Sequence, residues 1–265
     1  MEREVLALKQ QVLGAEHPST LNTAGNLALS LNRQGKYDEA EKMQREVLAL
    51  RNRVLGAEHR DTLTAAGNLA VSLFQQGQYD EAEKMQREVL AVRKRVLGAD
   101  HPDTLTTAGN LALSLSRQGK YAEAEKMERE VLAVKQRLLG ADHPETLRAA
   151  CNLAVSLLRR EKYAEAEKME REVLEVRKRV LGTEHPDTLT TAGNLAVSLS
   201  RQEKYDEAEK MQREVLAVEK RVLVAEHPAT LTTAGNLVNL LLSQGKYDEA
   251  EKMEPGGGDG AAGAL

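Results

Sequence analysis

Apolar residues along this chain recur at steps of three and four in short blocks, and the blocks themselves repeat. In the first complete block Leu21, Ala24, Leu27, Ala28 and Leu31 share one side of a helix that opens at Pro18 and ends near Gln34-Gly35. Proline suits the first helical position because its missing N–H would have no partner there anyway. After a Gly35-Lys36 turn, Ala40, Met43, Val47, Leu50 and Val54 step by three and four, with Leu48 and Leu55 widening the stripe. Asp38 and Glu39 place negative charge in the first turn of this second helix, where the helix dipole favours it. Gly56 is placed to stop it in a left-handed cap. The pattern predicts a two-helix unit, helix A followed by helix B.

The unit recurs without a slip in register. His17, His59, His101, His143, His185 and His227 are 42 residues apart, as are Tyr37, Tyr79, Tyr121, Tyr163, Tyr205 and Tyr247. Units in register fall at 17–58, 59–100, 101–142, 143–184, 185–226 and 227–254, preceded by a lone helix B at 1–14. Neither stripe of a two-helix unit can be buried alone, so neighbouring units must stack and share a core, which predicts an all-α solenoid over 1–254. The segment 255–265, PGGGDGAAGAL, has no periodicity and reads as a disordered Gly/Ala-rich tail. On the far side of helix B, Glu41 to Arg45 pairs recur as Glu83 to Arg87, Glu125 to Arg129, Glu167 to Arg171 and Glu209 to Arg213, which reads as a solvated helical face.

Composition narrows the function classes. Aromatics are 3% of the chain, charged residues 29%, and the net charge of −4 is spread as interspersed signs, so no basic face is built for nucleic acid or anionic lipid. One cysteine, Cys151, allows no internal disulfide, and no apolar run approaches the roughly 20 residues that span a bilayer. A soluble, cytoplasmic protein is expected.

The pattern NLA-x-SL-x-x-QGKY-x-EAE resembles the tetratricopeptide repeat. The 42-residue period, the long helix B and the linker LG-x-[DE]-HP-[DE]-T are similar more narrowly to the repeats of the kinesin light chain family. The resemblance covers residues 1 to about 253. It implies a right-handed α-solenoid whose A helices line a concave groove, and in that family the groove binds extended segments of cargo proteins. Two features depart from the family: no heptad segment precedes the repeats, and the first of two adjacent asparagines in helix A is Gly25, Gly67, Gly109, Gly193 and Gly235, or Cys151.

A helical wheel sets Asn22, Gly25, Leu29, Asn32 and Arg33 opposite the core side, with Asn26 at the rim. Three recurring sets are the candidate peptide-binding surface. The first is Asn26, Asn68, Asn110, Asn152, Asn194 and Asn236, whose amides either form a ladder for a peptide backbone or hydrogen-bond the neighbouring turn or helix. The second is the aliphatic row Leu29, Val71, Leu113, Val155 and Val197, beside glycines that either admit another backbone or let adjacent A helices pack tightly. The third is Arg33, Arg117, Arg159 and Arg201, which would favour an acidic segment. One groove position varies between units (Asn32, Phe74, Ser116, Leu158, Ser200, Leu242), so Phe74 and Leu158 are candidates for partner specificity.

Catalysis is not expected. Each histidine lies alone in its linker, which argues against a metal site and for a role in starting helix A. No phosphate loop, CxxC, carboxylate dyad or Ser/His/Asp set interrupts the repeat, so no cofactor is expected and Cys151 reads as a small residue in place of glycine. The leading reading is a protein-binding scaffold or adaptor. The alternatives are a spacer that self-associates end to end, or the repeat fragment of a larger signalling protein.

Overall fold

A computed structural model describes residues 1–223 and 226–253, and the segment 255–265 lies outside the described residues. Within them are thirteen α-helices and no strand. Helix B of the incomplete first unit is α1 (Glu2–Leu13). Helices A and B then alternate as α2 (Pro18–Arg33), α3 (Tyr37–Leu55), α4 (Arg60–Gln75), α5 (Tyr79–Val96), α6 (Pro102–Arg117) and α7 (Tyr121–Leu139). They continue as α8 (Pro144–Arg159), α9 (Tyr163–Leu181), α10 (Pro186–Ser200), α11 (Tyr205–Val222), α12 (Pro228–Ser243) and α13 (Tyr247–Met253). The chain divides into two compact units, Met1–Val134 and Lys135–Leu265. In the first, each helix from α1 to α6 packs on the next, and α2, α4 and α6 also touch in turn; in the second the same holds from α8 to α13, with α8, α10 and α12 in turn.

Helix A has the form its sequence predicts. Leu21, Ala24, Leu27, Ala28 and Leu31 are all buried, as are their counterparts around Leu69, Leu111, Leu153 and Leu195. The linker histidine is the N-cap at every A helix: His17, His59, His101, His143, His185 and His227 each accept, at Nδ1, the backbone N–H two residues on, at 3.1–3.2 Å. At the other end the Gly35 N–H donates to Asn32 O and the Lys36 N–H to Leu31 O, both at 3.0 Å, and Gly35 takes φ +75°. This is a Schellman turn, and it needs the conformation that glycine adopts without strain. Glu161 and Glu203 occupy the same position with φ of 59° and 61°. Glu161→Gly and Glu203→Gly are therefore expected to raise stability by about 1 kcal/mol each, read as a rise in melting temperature. Unchanged melting would mean that these turns carry no strain.

Helix B differs from expectation in two ways. Gly56 does take a positive φ of 87°, but with ψ of 161° it is extended rather than left-handed helical, because the chain turns straight into the His59 linker. The buried stripe also lies about one position away from the apolar one. Ala40, Gln44, Val47 and Arg51 are buried, whereas Val54 is exposed and Met43, Leu48, Leu50 and Leu55 are half-buried. Polar groups can occupy that seam because partners meet them there. Arg51 donates to the Asp61 carbonyl at 2.8 Å. Arg93 reaches the Asp103 carbonyl at 2.9 Å and Thr107 Oγ1 at 2.6 Å, and Arg177 reaches the Asp187 carbonyl at 2.8 Å and Thr191 Oγ1 at 2.6 Å. Each of these arginines fastens a helix B to the first turn of the following helix A. Glu219 holds the equivalent place in α11; it is buried, and its Oε2 has no hydrogen-bond partner.

Candidate functional site

Asn32 apart, the candidate groove residues sit on helix A or at its end, away from its leucine core, and none is buried. Arg33, Arg117, Arg159 and Arg201 are exposed at the ends of α2, α6 and α8 and just past α10, and among the described residues none of the four makes an ion pair. In the aliphatic row Leu113 and Val155 are 44% and 40% exposed, and Leu29, Val71 and Val197 are half-buried. Asn26 and Asn152 are exposed and Asn68, Asn110, Asn194 and Asn236 half-buried. Among the described residues these six amides have no hydrogen-bond partner, so the bond to a neighbouring turn or helix that would explain them structurally is not made. The glycine beside them seals no seam either. A β-carbon on Gly25, Gly67, Gly109, Gly193 or Gly235 would meet nothing within 4 Å beyond its own helix. Tight packing of A helices through glycine is thereby excluded, and open space lies above each one.

The variable position behaves differently from unit to unit. Asn32 is not a free groove residue: it is buried, and its Nδ2 donates to Ser72 Oγ at 3.1 Å and to the Gln75 carboxamide, tying α2 to α4. Phe74 is half-buried, packs on Leu69, Leu73 and Ala82, and meets the Tyr79 ring at 5.3 Å and 58°. Leu158 is half-buried. At Ser200 the small side chain leaves space. Val197, Arg201 and Asn236, three sequence-predicted residues, converge with Gln212 of α11 on a cavity of about 420 Å³ between α10 and α12.

The charged face of helix B is more than a solvated surface. Arg45, Arg87, Arg171 and Arg213 each pair with the glutamate four residues before and also with the first turn of the next helix B. Arg45 bonds Glu41 at 3.0 Å and Glu81 at 2.8 Å; Arg87 bonds Glu83 and Glu123, Arg171 bonds Glu167 and Glu207, and Arg213 bonds Glu209 and Glu249. The 36-residue offset between the outer partners follows from the repeat and could have been read from it. Burial works against ionisation of Glu83, but Lys120, Arg87 and Gln118 hold its carboxyl at about 2. For Glu209 the Lys246 ammonium is the main cause, and its pKa too falls to about 2. Each exposed pair contributes roughly 0.2–1 kcal/mol.

A second set escaped the sequence reading because its members are polar. Gln44, Gln86, Glu128, Glu170 and Gln212 occupy one position of helix B and are buried. Glu170 accepts the Ser198 hydroxyl, and burial pushes its carboxyl up to about 7. Cys151, half-buried on α8, lies 4.0 Å from Thr191 Oγ1, and burial raises its thiol. Among the described residues no three His, Cys, Asp or Glu side chains are grouped to hold a metal ion, and no helix is long and apolar enough to cross a membrane.

Tandem helical hairpins with a shared leucine core and a half-open A-helix face define a helical-repeat protein. Models of the tetratricopeptide repeat match residues 3–53, 19–95, 61–137, 171–219 and 187–254, and a further one matches 146–187. The chain belongs to the tetratricopeptide repeat family. No curated protein matches it. Among solved structures, a Podospora anserina putative kinesin light chain with nearly identical TPR-like repeats superposes with a TM-score of 0.70 at 26% identity, covering 78% of this chain and 98% of that one; a point variant of the same protein gives 0.71. BtubC (BKLC) from P. vanneervenii gives 0.64 at 19% identity over 89% of this chain and 97% of that one, a likeness of fold. Proteins of this family are typically non-catalytic and bind protein partners.

Proposed function

We propose that this chain is a protein-interaction scaffold that holds an extended peptide segment along its A helices, in the manner implied by the likeness to kinesin light chain repeats. The observation that carries the reading is the composition of that face: unpartnered asparagines, exposed aliphatics, glycines with open space above them and unpaired arginines recur together, none of them needed by the core. An extended peptide offers backbone groups to the amides and side chains to the aliphatic row. The arginine row favours acidic residues in that segment, and a cytoplasmic adaptor role fits the single, unpaired cysteine.

Arg159→Glu with Arg201→Glu is expected to weaken capture of acidic extended peptides at least about tenfold, with a salt-sensitive loss of on-rate. Val155→Ala, a neutral truncation, is expected to weaken it independently of salt. Both are read by surface plasmon resonance against an acidic peptide library. Binding unchanged in both variants would remove the A-helix face from consideration.

Self-association is the second reading, and one comparison favours it. Val5 is 41% exposed where Val47, Val89, Val131, Val173 and Val215 are 3–6%, and Leu231 is 52% exposed where Leu21, Leu63, Leu105, Leu147 and Leu189 are 2–8%. Light scattering of the same samples separates the two, since a monomer at high concentration rules out end-to-end contact through these side chains.

A further inference from the structure

Helices α1 and α13 are complementary pieces of one helix B. All seven methionines, Met1, Met43, Met85, Met127, Met169, Met211 and Met253, share one repeat position, so Met1 and Met253 lie six 42-residue periods apart. α13 (Tyr247–Met253) is the part of helix B up to that methionine, and α1 (Glu2–Leu13) is the part after it. Each has what the other lacks. In interior units the second part covers helix A of its own unit: Leu63 and Ala66 of α4 pack with Val89 of α5, and Val92 lies against them. In α12 and α1 this contact is divided. Leu231 holds the place of Leu63, and Val5 and Leu8 hold those of Val89 and Val92. Leu63 and Val89 are each 4% exposed, whereas Leu231 is 52%, Val5 41% and Leu8 60%. The sequence that follows Met253 brings no cover of its own, since it has Gly257 and Gly260 at the places of Val89 and Val92, and Pro255 breaks the helical pattern.

Charge divides in the same way. In interior units the glutamate two residues before the methionine is held by two cations, the arginine four residues on and the lysine 37 on. Glu83 meets Arg87 at 2.8 Å and Lys120 at 2.7 Å, Glu167 meets Arg171 at 2.9 Å and Lys204 at 2.7 Å, and Glu209 meets Arg213 at 2.8 Å and Lys246 at 2.6 Å. Glu251 is next in this series; it is exposed, and among the described residues it has no ion-pair partner. The matching cations stand on α1 and before α3. Arg3 bonds Glu39 at 2.6 Å, as Arg45 bonds Glu81, but makes no counterpart of the pair between Arg45 and Glu41. Lys36, at the place of Lys120, Lys204 and Lys246, makes no ion pair among the described residues.

We propose that a second copy of the chain docks head to tail, its α1 continuing the helix B that α13 begins, so that Val5 and Leu8 of one copy cover Leu231 of the other while Arg3 and Lys36 flank Glu251. The repeat register then runs through the junction without a break. This rests on the self-association reading, to which it gives a register and a direction, and owes nothing to the peptide groove. Because each copy offers a different face, two full-length variants with one face spoiled in each can test it. Val5→Glu keeps the α12–α13 face, and Leu231→Glu keeps the α1 face; both side chains are exposed, so the single chain has no packing there to lose. In sedimentation equilibrium each variant alone is expected to be monomeric where the wild type associates, while their equimolar mixture forms a dimer of one copy each and nothing larger. Glu251→Lys added to the Val5→Glu chain is expected to weaken that dimer at least about fivefold, and Lys36→Glu added to the other chain to recover part of the loss. A wild type that stays monomeric overturns self-association and this proposal together. Association of either variant alone, or a mixture that stays monomeric beside an associating wild type, overturns the head-to-tail contact and leaves self-association standing. Charge losses that simply add overturn the register.

Discussion

Alanine at Gly25, Gly67, Gly109, Gly193 and Gly235 together is expected to raise the free energy of unfolding by roughly 2.5–5 kcal/mol, the sum of about 0.5–1 at each mid-helix site. The added methyl groups meet no neighbour within 4 Å, so nothing in the fold opposes the gain in helix propensity. Urea denaturation measured by circular dichroism checks this. The same variant is expected to bind peptide less well, because five β-carbons would stand where a peptide backbone approaches. A protein that becomes more stable and less competent together would show that the glycines serve the surface. A destabilised variant would show instead that they serve the packing.

Glu170→Gln is expected to remove a pH dependence of about 3 kcal/mol, from a carboxyl that ionises near 4.5 in the unfolded chain and near 7 in the folded one. Burial is the main cause, with the nearby Glu167 charge adding to it and the Ser198 hydroxyl opposing it. Because the folded pKa is the higher, the unfolded chain gives up this proton first. The stability is full below about pH 4.5, declines as pH rises to about 7, and is level beyond. Glu83, Glu145, Glu167 and Glu209, each held near 2, act oppositely and in a separate window, losing stability only as pH falls below about 4.5. Denaturant titrations at pH 4.5, 6 and 8 should therefore separate wild type from a Glu170→Gln variant whose stability is nearly flat. Parallel curves would place the pH dependence elsewhere. Glutamine fits the site sterically, since Gln44, Gln86 and Gln212 occupy it in other repeats.

Helix A was legible in the sequence to within a residue because its recurring apolar stripe is buried throughout. Pro18, Leu21 to Leu31 and Gly35 each carry a local signal for start, face and stop. Helix B was legible as a helix but not in its facing, since half its buried seam is Gln44 and Arg51, whose burial depends on partners in another helix. Asn32 misled for the same reason: a wheel shows which way a side chain leaves its helix, not what lies 40 residues on to receive it. The outward placement of Asn26, Leu29, Arg33 and their equivalents followed from periodicity alone. The α10–α12 cavity did not, because it comes from several small departures that become visible together only when their positions are brought face to face.

The missing arginine at position 219 gives the second unit a fault line. Arg177 clasps α9 to α10, whereas at the equivalent position Glu219 has no guanidinium to offer α12, and its Oε2 makes no hydrogen bond among the described residues. Where each hairpin leans only on its neighbours, heat or a protease would part the stack at that joint first, and α12 with α13 would leave as one piece while α8 to α11 held. Any molecule lodged between α10 and α12 would then act as a rivet, and its presence would be felt most in how long the last hairpin stays shut.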